Sequence, residues 1–366
     1  MSRANIGLAF DDRLAQYDLG EGHPFRGDRF RNAMEYFRSR GLFDSGMVEL
    51  LRSKPVSRED LLRVHDEKYV DLIFRLAEEN KSYDPETPTS ESIVEGALLI
   101  AGGGVGCAKA VLDGTFKHGV SLGGGHHHAG RDYGGGFCLF NDVAVLIEFL
   151  RAKCRLKRFL VLDYDVHFGN GTSDIYYRDN SVLYISLHQD PRTIYPGRGF
   201  VEEIGEGDGT GFNVCVPLPV GTGDETYLRV LEEVFVPLAE EFKPEIIVAN
   251  GGSDAHFKDS LGSLGLTARG FYGIACLIRK TAERVCNGRL VLIPGSGYNP
   301  RILPMCWYSL VAGVAGLDGG SIVDEFGSPV ERDDVRGEAE RTVDGLKRLL
   351  RKYWTCFEGY AINDVP

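Results

Sequence analysis

Side chains able to bind a metal or move a proton fall into four short blocks of this 366-residue chain. The densest is Asp163-Tyr164-Asp165-Val166-His167. Residues two apart on an extended segment face the same side, so Asp165 and His167 can share one cation. Asp254, at the end of Asn250-Gly251-Gly252-Ser253-Asp254, adds a second carboxylate from far along the chain. Three protein ligands with an open position are the pattern of a catalytic zinc rather than a structural one. A third block, Gly123-Gly124-Gly125-His126-His127-His128, supplies imidazoles. Beside a cation-activated water, a neutral imidazole can take a proton and later return one to a leaving amine. Asp163 can orient one of these rings, fix its tautomer and raise its basicity. The fourth block, Pro294-Gly295-Ser296-Gly297-Tyr298, sets a phenol on a glycine turn, where it can donate a hydrogen bond to a developing oxyanion. Singly these patterns are common in surface loops, and their weight comes from the elements that precede them.

Each block follows a short apolar run. Runs at 5–10, 47–53, 119–122, 158–163, 182–187, 213–217, 245–250 and 289–294 are β-branched or leucine-rich without clean alternation. That is how parallel strands covered on both faces read. Helical spacing occupies 29–38, 66–79, 90–112, 142–153, 226–242, 267–287, 301–315 and 337–352. The alternation predicts right-handed βαβ units: an α/β fold, one domain, with an eight-stranded, mostly parallel sheet flanked by helices. Such a sheet carries its site beyond the C-terminal strand ends, which is where all four blocks lie. The catalytic core is expected over about 4–320, with a C-terminal helix and tail over 335–366.

Composition narrows the partners. The net charge of −12 disfavours a nucleic acid and is compatible with a cationic substrate. Eight scattered cysteines without a CxxC motif read as reduced thiols, and hence as a cytoplasmic protein. No signal peptide and no run of about 18 apolar residues is seen, so no membrane span is expected.

The assembled blocks resemble the histone deacetylase superfamily. The resemblance rests on Gly124-Gly125-His126-His127-His128-Ala129, Gly136-Phe137-Cys138-Leu139-Phe140-Asn141-Asp142 and Asp163-Tyr164-Asp165-Val166-His167-Phe168-Gly169-Asn170-Gly171. Ser186-Leu187-His188, Tyr195-Pro196-Gly197, Asp254 and Gly295-Ser296-Gly297-Tyr298-Asn299 follow in the same order. It spans His23-Pro24 to about Gly313 and looks most like prokaryotic members, the acetoin-utilisation-type and class II-like deacetylases and the acetylpolyamine amidohydrolases.

The resemblance implies the arginase/deacetylase fold and removal of an acetyl group from acetyl-lysine or an acetylpolyamine. Asp165, His167 and Asp254 would bind Zn2+, or Fe2+ in the cell. His127 and His128 would move protons, Asp163 and Asn170 would partner them, and Tyr298 would polarise the acyl carbonyl. Gly136, Phe137 and Tyr195 would line a narrow channel with Leu261 at its rim. A structural K+ would use Asp163, Asp165, His167, Ser186 and Leu187, and a second monovalent ion would use Tyr176, Asp179, Val182 and Phe212. Arg29 resembles the arginine of an internal acetate channel.

Three departures stand out. Asn170 replaces an aspartate of class I members, His126 replaces an apolar or aromatic residue, and Ser260 replaces a proline in Asp259-Ser260-Leu261. Two rivals are weighed. A binuclear manganese ureohydrolase of the same fold needs further carboxylates where Asn170 and His256 stand. A non-catalytic binding homologue need not keep every chemical residue.

Overall fold

The eight apolar runs become eight strands, most of them buried on both faces, where the backbone can be satisfied only by pairing; the strand over Val48–Leu51, at one edge of the sheet, is partly exposed. The computed structural model describes residues 5–359. The strands are β1 Ile6–Ala9, β2 Val48–Leu51, β3 His118–Ser121, β4 Phe159–Asp163, β5 Val182–Gln189, β6 Asn213–Leu218, β7 Ile246–Gly252 and β8 Leu290–Ser296. They form one sheet in the order β2-β1-β3-β8-β7-β4-β5-β6, and every strand pairing is parallel.

The order explains the site. The chain lays down β3 and then β4 with a gap of two strands between them, and β7 and β8 fill that gap much later. Asp254 and Tyr298, which follow β7 and β8, are thereby inserted between the histidine loop after β3 and the Asp165 loop after β4. Register completes the alignment: Asp163 lies opposite both Ser186 and Asn250, and Gly252 lies opposite Ser296 past a bulge.

Helices α1 Asp28–Ser39, α2 Arg58–Leu61, α3 Glu67–Glu78, α4 Glu91–Leu112, α5 Asp142–Phe149, α6 Asn170–Tyr176, α7 Asp224–Phe242, α8 Ala268–Cys286, α9 Leu303–Ala315 and α10 Asp333–Leu350 cover the sheet. Ser90, Asn141 and Thr267 cap α4, α5 and α8 through side-chain oxygens that accept N–H bonds. The single helix expected over 142–153 instead ends at Phe149 and widens into a π-turn over Leu150–Cys154. Two helices were not expected. α2 is one turn held by a Ser57/Asp60 capping box. α6 begins Asn170-Gly171-Thr172-Ser173, with no apolar periodicity to announce it.

α4 is long and apolar enough to cross a membrane by length and composition, although no such span was expected. Of its most apolar window, 78% is buried inside the fold, against β3, α5 and β1. The C-terminal segment packs back onto the molecule. The Trp354 indole donates to the Gly211 carbonyl at 2.7 Å, and Phe357 is buried. Residues 1–4 and 360–366, parts of the expected core and tail, lie outside the described residues.

Candidate active site

Asp165 and His167 sit on the turn that continues β4, and Asp254 on the turn after β7. One ligand atom from each lies within 4.8 Å of the others, and all three residues are buried. His167 Nδ1 is 3.1 Å from Asp165 Oδ1 and 3.4 Å from Asp254 Oδ2. Asp254 Oδ2 is buried without any hydrogen-bond donor among the described residues. A buried carboxylate oxygen with no donor is costly unless a cation faces it. The electrostatics agree. Burial penalises charge on His167, yet its contacts with Asp165 and Asp254 outweigh this and raise its pKa to about 10. Burial, and then the neighbouring Asp165, push Asp254 up to about 7. Asp165 is held well below the usual carboxylate range by His127 and His167 in spite of its burial. A site that favours positive charge this strongly fits a divalent cation in place of the proton.

The histidine loop closes over this cluster. Asp142, the first residue of α5, accepts the backbone N–H groups of Gly125 at 3.0 Å and His126 at 2.7 Å. That anchors His127 and His128 with their Nε2 atoms 3.2 Å apart. His127 Nδ1 donates to Asp163 Oδ2 at 2.8 Å, and the Tyr184 hydroxyl donates to the same oxygen. His128 Nδ1 donates to Asn170 Oδ1 at 2.7 Å. The Asn170 amide donates in turn to the Tyr133 hydroxyl at 3.2 Å, which directs its oxygen at His128. The two imidazoles therefore differ. Burial opposes charge on His127, but Asp163 and Asp165 raise its pKa to about 9. Burial and the nearby His127 and His167 push His128 well below its ordinary value.

Tyr298 hangs on the loop after β8. Asp259 Oδ2 accepts the N–H of Tyr298 at 2.8 Å and that of Asn299 at 3.2 Å, while the Ser260 hydroxyl donates to the Tyr298 carbonyl. Burial, then Asp254 and Asp165, keep the phenol protonated by pushing its pKa well above the ordinary value. Its ring meets Phe137 edge-on at 5.6 Å. Gly136 and Phe137 both have positive φ, +53° and +70°. At Gly136 a Cβ would stand 2.4 Å from the His128 ring, so glycine is required there.

A mouth of about 440 Å³ leads in between Glu86, Phe137, Tyr195, Leu261 and Tyr298, with His128 and His167 at its base. Tyr195 and Leu261 are exposed on the rim, and the Tyr195 ring meets His128 at 4.9 Å. The channel residues named from the sequence are thus together. Arg29, on α1, is buried beside the same site. It donates to the carbonyls of Gly295, Arg26 and Pro24, and burial lowers its pKa to about 10.

Of the residues expected to hold K+, Asp163 and Ser186 are paired in register. The Ser186 hydroxyl bonds His188, and the Leu187 carbonyl accepts from the Tyr227 hydroxyl. The second monovalent set is close in space around the start of β5, but its groups have other partners. The Asp179 carboxylate takes Arg151 and Ser181, and the Tyr176, Asp179 and Phe212 carbonyls accept the N–H groups of Asp179, Val182 and Tyr184. His256, at a position weighed for a second metal, is fully buried against Asp324 at 2.8 Å.

Sequence reasoning gave no role to Asp142, Tyr133 or Asp259. Asp142 stands in a quoted block, but its partners, the Gly125 and His126 N–H groups, lie 17 and 16 residues away. Asp259 reaches the Tyr298 loop from 39 residues away. No local pattern announces such contacts.

Together, a parallel eight-stranded sheet and an Asp–His–Asp cluster able to hold a metal ion, set beside paired histidines, define an α/β hydrolase frame. The Histone deacetylase domain model matches residues 23–314, and the chain belongs to this family. It is 36% identical over 362 residues to a probable deacetylase of Archaeoglobus fulgidus, covering 96% of this chain and 99% of that one. A histone deacetylase-like amidohydrolase of Pseudomonas aeruginosa is 38% identical over 74% of this chain and 71% of its own length. The acetoin utilization protein AcuC of Bacillus subtilis is 31% identical over 83% and 80%. The crystal structure of the HDA15 HD domain superposes with a TM-score of 0.84 at 27% identity, covering 98% of both chains. The chain is accordingly a hydrolase of C–N bonds with the arginase/deacetylase fold.

Proposed function

We propose that this protein is a zinc-dependent deacetylase that hydrolyses an acetylated primary amine, either acetyl-lysine in a protein or an acetylpolyamine. The observation that carries this reading is the buried, donor-free Asp254 Oδ2 within one cluster with Asp165 and His167, directly beside two imidazoles of opposite character. Asp165, His167 and Asp254 would hold a divalent cation, which would supply Lewis-acid polarisation and a more acidic water. The chain's own groups do the rest. His128, kept neutral, accepts the proton of water at Nε2 while its Nδ1–H stays on Asn170. His127, whose proton Asp163 holds in place, supplies positive charge next to the developing oxyanion. The Tyr298 hydroxyl donates to that oxyanion. The proton on His128 then passes to the leaving amine. Phe137 and Tyr195 wall the passage and keep water from the amine's aliphatic stem.

The same reading assigns a structural K+ to Asp163, Asp165, His167, Ser186 and Leu187, and a second monovalent ion to Tyr176, Asp179, Val182 and Phe212. The test is to measure metal equivalents per chain together with turnover of acetyl-lysine peptides, acetylputrescine and acetylspermidine. About one zinc equivalent and chelator-sensitive acetate release are expected. Two bridged ions per chain with urea-forming activity would point instead to the ureohydrolase rival. Metal binding without turnover of any acylated amine would point to a binding homologue.

A further inference from the structure

His126 is the one member of the histidine run that the mechanism leaves idle, and its surroundings are unusual. It is 4% exposed, yet neither ring nitrogen has a partner among the described residues. Its ring is fixed all the same. It stacks on Tyr17 with centroids 4.6 Å apart and planes at 27°, Phe25 meets it edge-on, and its backbone N–H is tied to Asp142. The Tyr17 hydroxyl in turn donates to the Phe137 carbonyl at 2.6 Å, joining this stack to the channel wall.

The ring borders a small inner cavity. His126, Phe25 and Ser296 line that cavity together with His127, His128, Asp165 and Tyr298. The Ser296 hydroxyl is also buried without a partner. Only about 20 Å³ is open to the centre of a water-sized sphere, room for roughly one such sphere. The mouth and the inner cavity share His128, Gly136, Phe137 and Tyr298, whereas His126 lines only the inner cavity. An amine-linked acyl group that enters by the mouth and presents its carbonyl to these residues therefore points the rest of its chain at His126.

We propose that His126 is a specificity-determining residue that limits the acyl group to acetyl; this rests on the deacylase reading above. It acts in two ways. The stacked ring cannot swing away, so it closes the floor by volume. Its partnerless nitrogens, already out of reach of water, also give a longer acyl chain a polar rather than an apolar surface to pack on, so its methylenes recover less than an apolar floor would return. An acetyl methyl stops short of both costs.

The test compares kcat/KM for acetyl-lysine and butyryl-lysine versions of one peptide. In the unmodified protein a strong preference for acetyl is the expected result. His126→Ala opens the floor and raises the butyryl-to-acetyl ratio about tenfold or more, the scale on which pockets discriminate methylenes. His126→Leu keeps the volume but makes the floor apolar, and raises the ratio by about fourfold, the gain from about one buried methylene. Should the alanine variant fail to fold, the leucine variant carries the test. A ratio unmoved in the folded variants, or equal use of both acyl groups by the unmodified protein, overturns the proposal. Affinities for the same two peptides, measured by calorimetry on the zinc-loaded protein, read the selection even if neither is turned over. No turnover would count against the deacylase reading, whereas equal affinities in the unmodified and variant proteins would count against His126.

Discussion

At the scale of the residue, the partner of each imidazole sets its work. His127 faces the Asp163 carboxylate at 2.8 Å and His128 faces the Asn170 amide oxygen at 2.7 Å. A neutral partner gives His128 orientation without the attraction for a proton that a carboxylate exerts. Replacing it should reverse this. Asn170→Asp places a charge against His128 Nδ1, so the ring holds its proton to higher pH and is the wrong form for a base. The acidic limb of the kcat/KM profile is expected to move up by about one unit or more, with the alkaline limb little changed. A profile that does not move means that His128 is not the base. Tyr298 makes a different contribution. Its phenol stays protonated and can bond only a group that grows negative, so Tyr298→Phe should lower kcat by about 10²–10³ with little effect on KM. A raised KM at unchanged kcat would show instead that the hydroxyl binds the substrate as strongly as the transition state.

At the scale of the element, sheet order does the positioning, and loops from distant strands hold one another. Asp259, after β7, pins the Tyr298 loop after β8 through two backbone N–H groups. Asp259→Ala frees that loop. Misplacing a catalytic group by about 1 Å costs up to 10²-fold, so a loss in kcat of at least tenfold is expected, with partial rescue in Asp259→Asn, which keeps an acceptor oxygen. Full activity in the alanine variant would show that the loop needs no such tie. This is also the level at which the sequence stops being legible. All eight strands could be read, because a run such as Phe159–Asp163, apolar on both faces, has few other fates. The Asp165, His167 and Asp254 cluster could be read because the residues follow such strands. α6 could not: Asn170-Gly171-Thr172-Ser173 has the composition of a turn, and it is helical because Thr172 N–H reaches the His127 carbonyl and the Ser173 hydroxyl reaches Asn213. The emptiness around the His126 nitrogens is equally invisible in sequence, since it depends on Tyr17, Phe25 and Ser296 arriving from three other segments.

At the scale of the whole molecule, the fold buries histidines that take no part in the site, and this couples stability to pH. His65 donates from Nδ1 to the Gly130 carbonyl, His118 to the Gly288 carbonyl, and His188 bridges Ser186 and Gly199. Burial lowers the pKa of each from 6.5 to about 4. The sign follows. Above pH 6.5 the rings are neutral both folded and unfolded, and their contribution is complete. As pH falls from 6.5 towards 4 the unfolded chain takes up protons that the folded one refuses, so stability is lost. Each ring can account for about 3 kcal/mol across that window, at a slope of about 1.4 kcal/mol per pH unit. Burial raises Glu148 and Asp224, which works in the opposite direction and offsets part of this loss. His118 isolates the effect. It opens β3, at the end of the sheet away from the metal cluster, so replacing it leaves the site's own titration alone. Urea unfolding of the zinc-loaded protein between pH 6.5 and 4.5 should show a free energy that falls with pH. In His118→Gln, whose amide can still donate to Gly288, the slope should be shallower by about one proton. Parallel slopes in the two proteins would mean that His118 takes up its proton inside the fold as readily as in the unfolded chain.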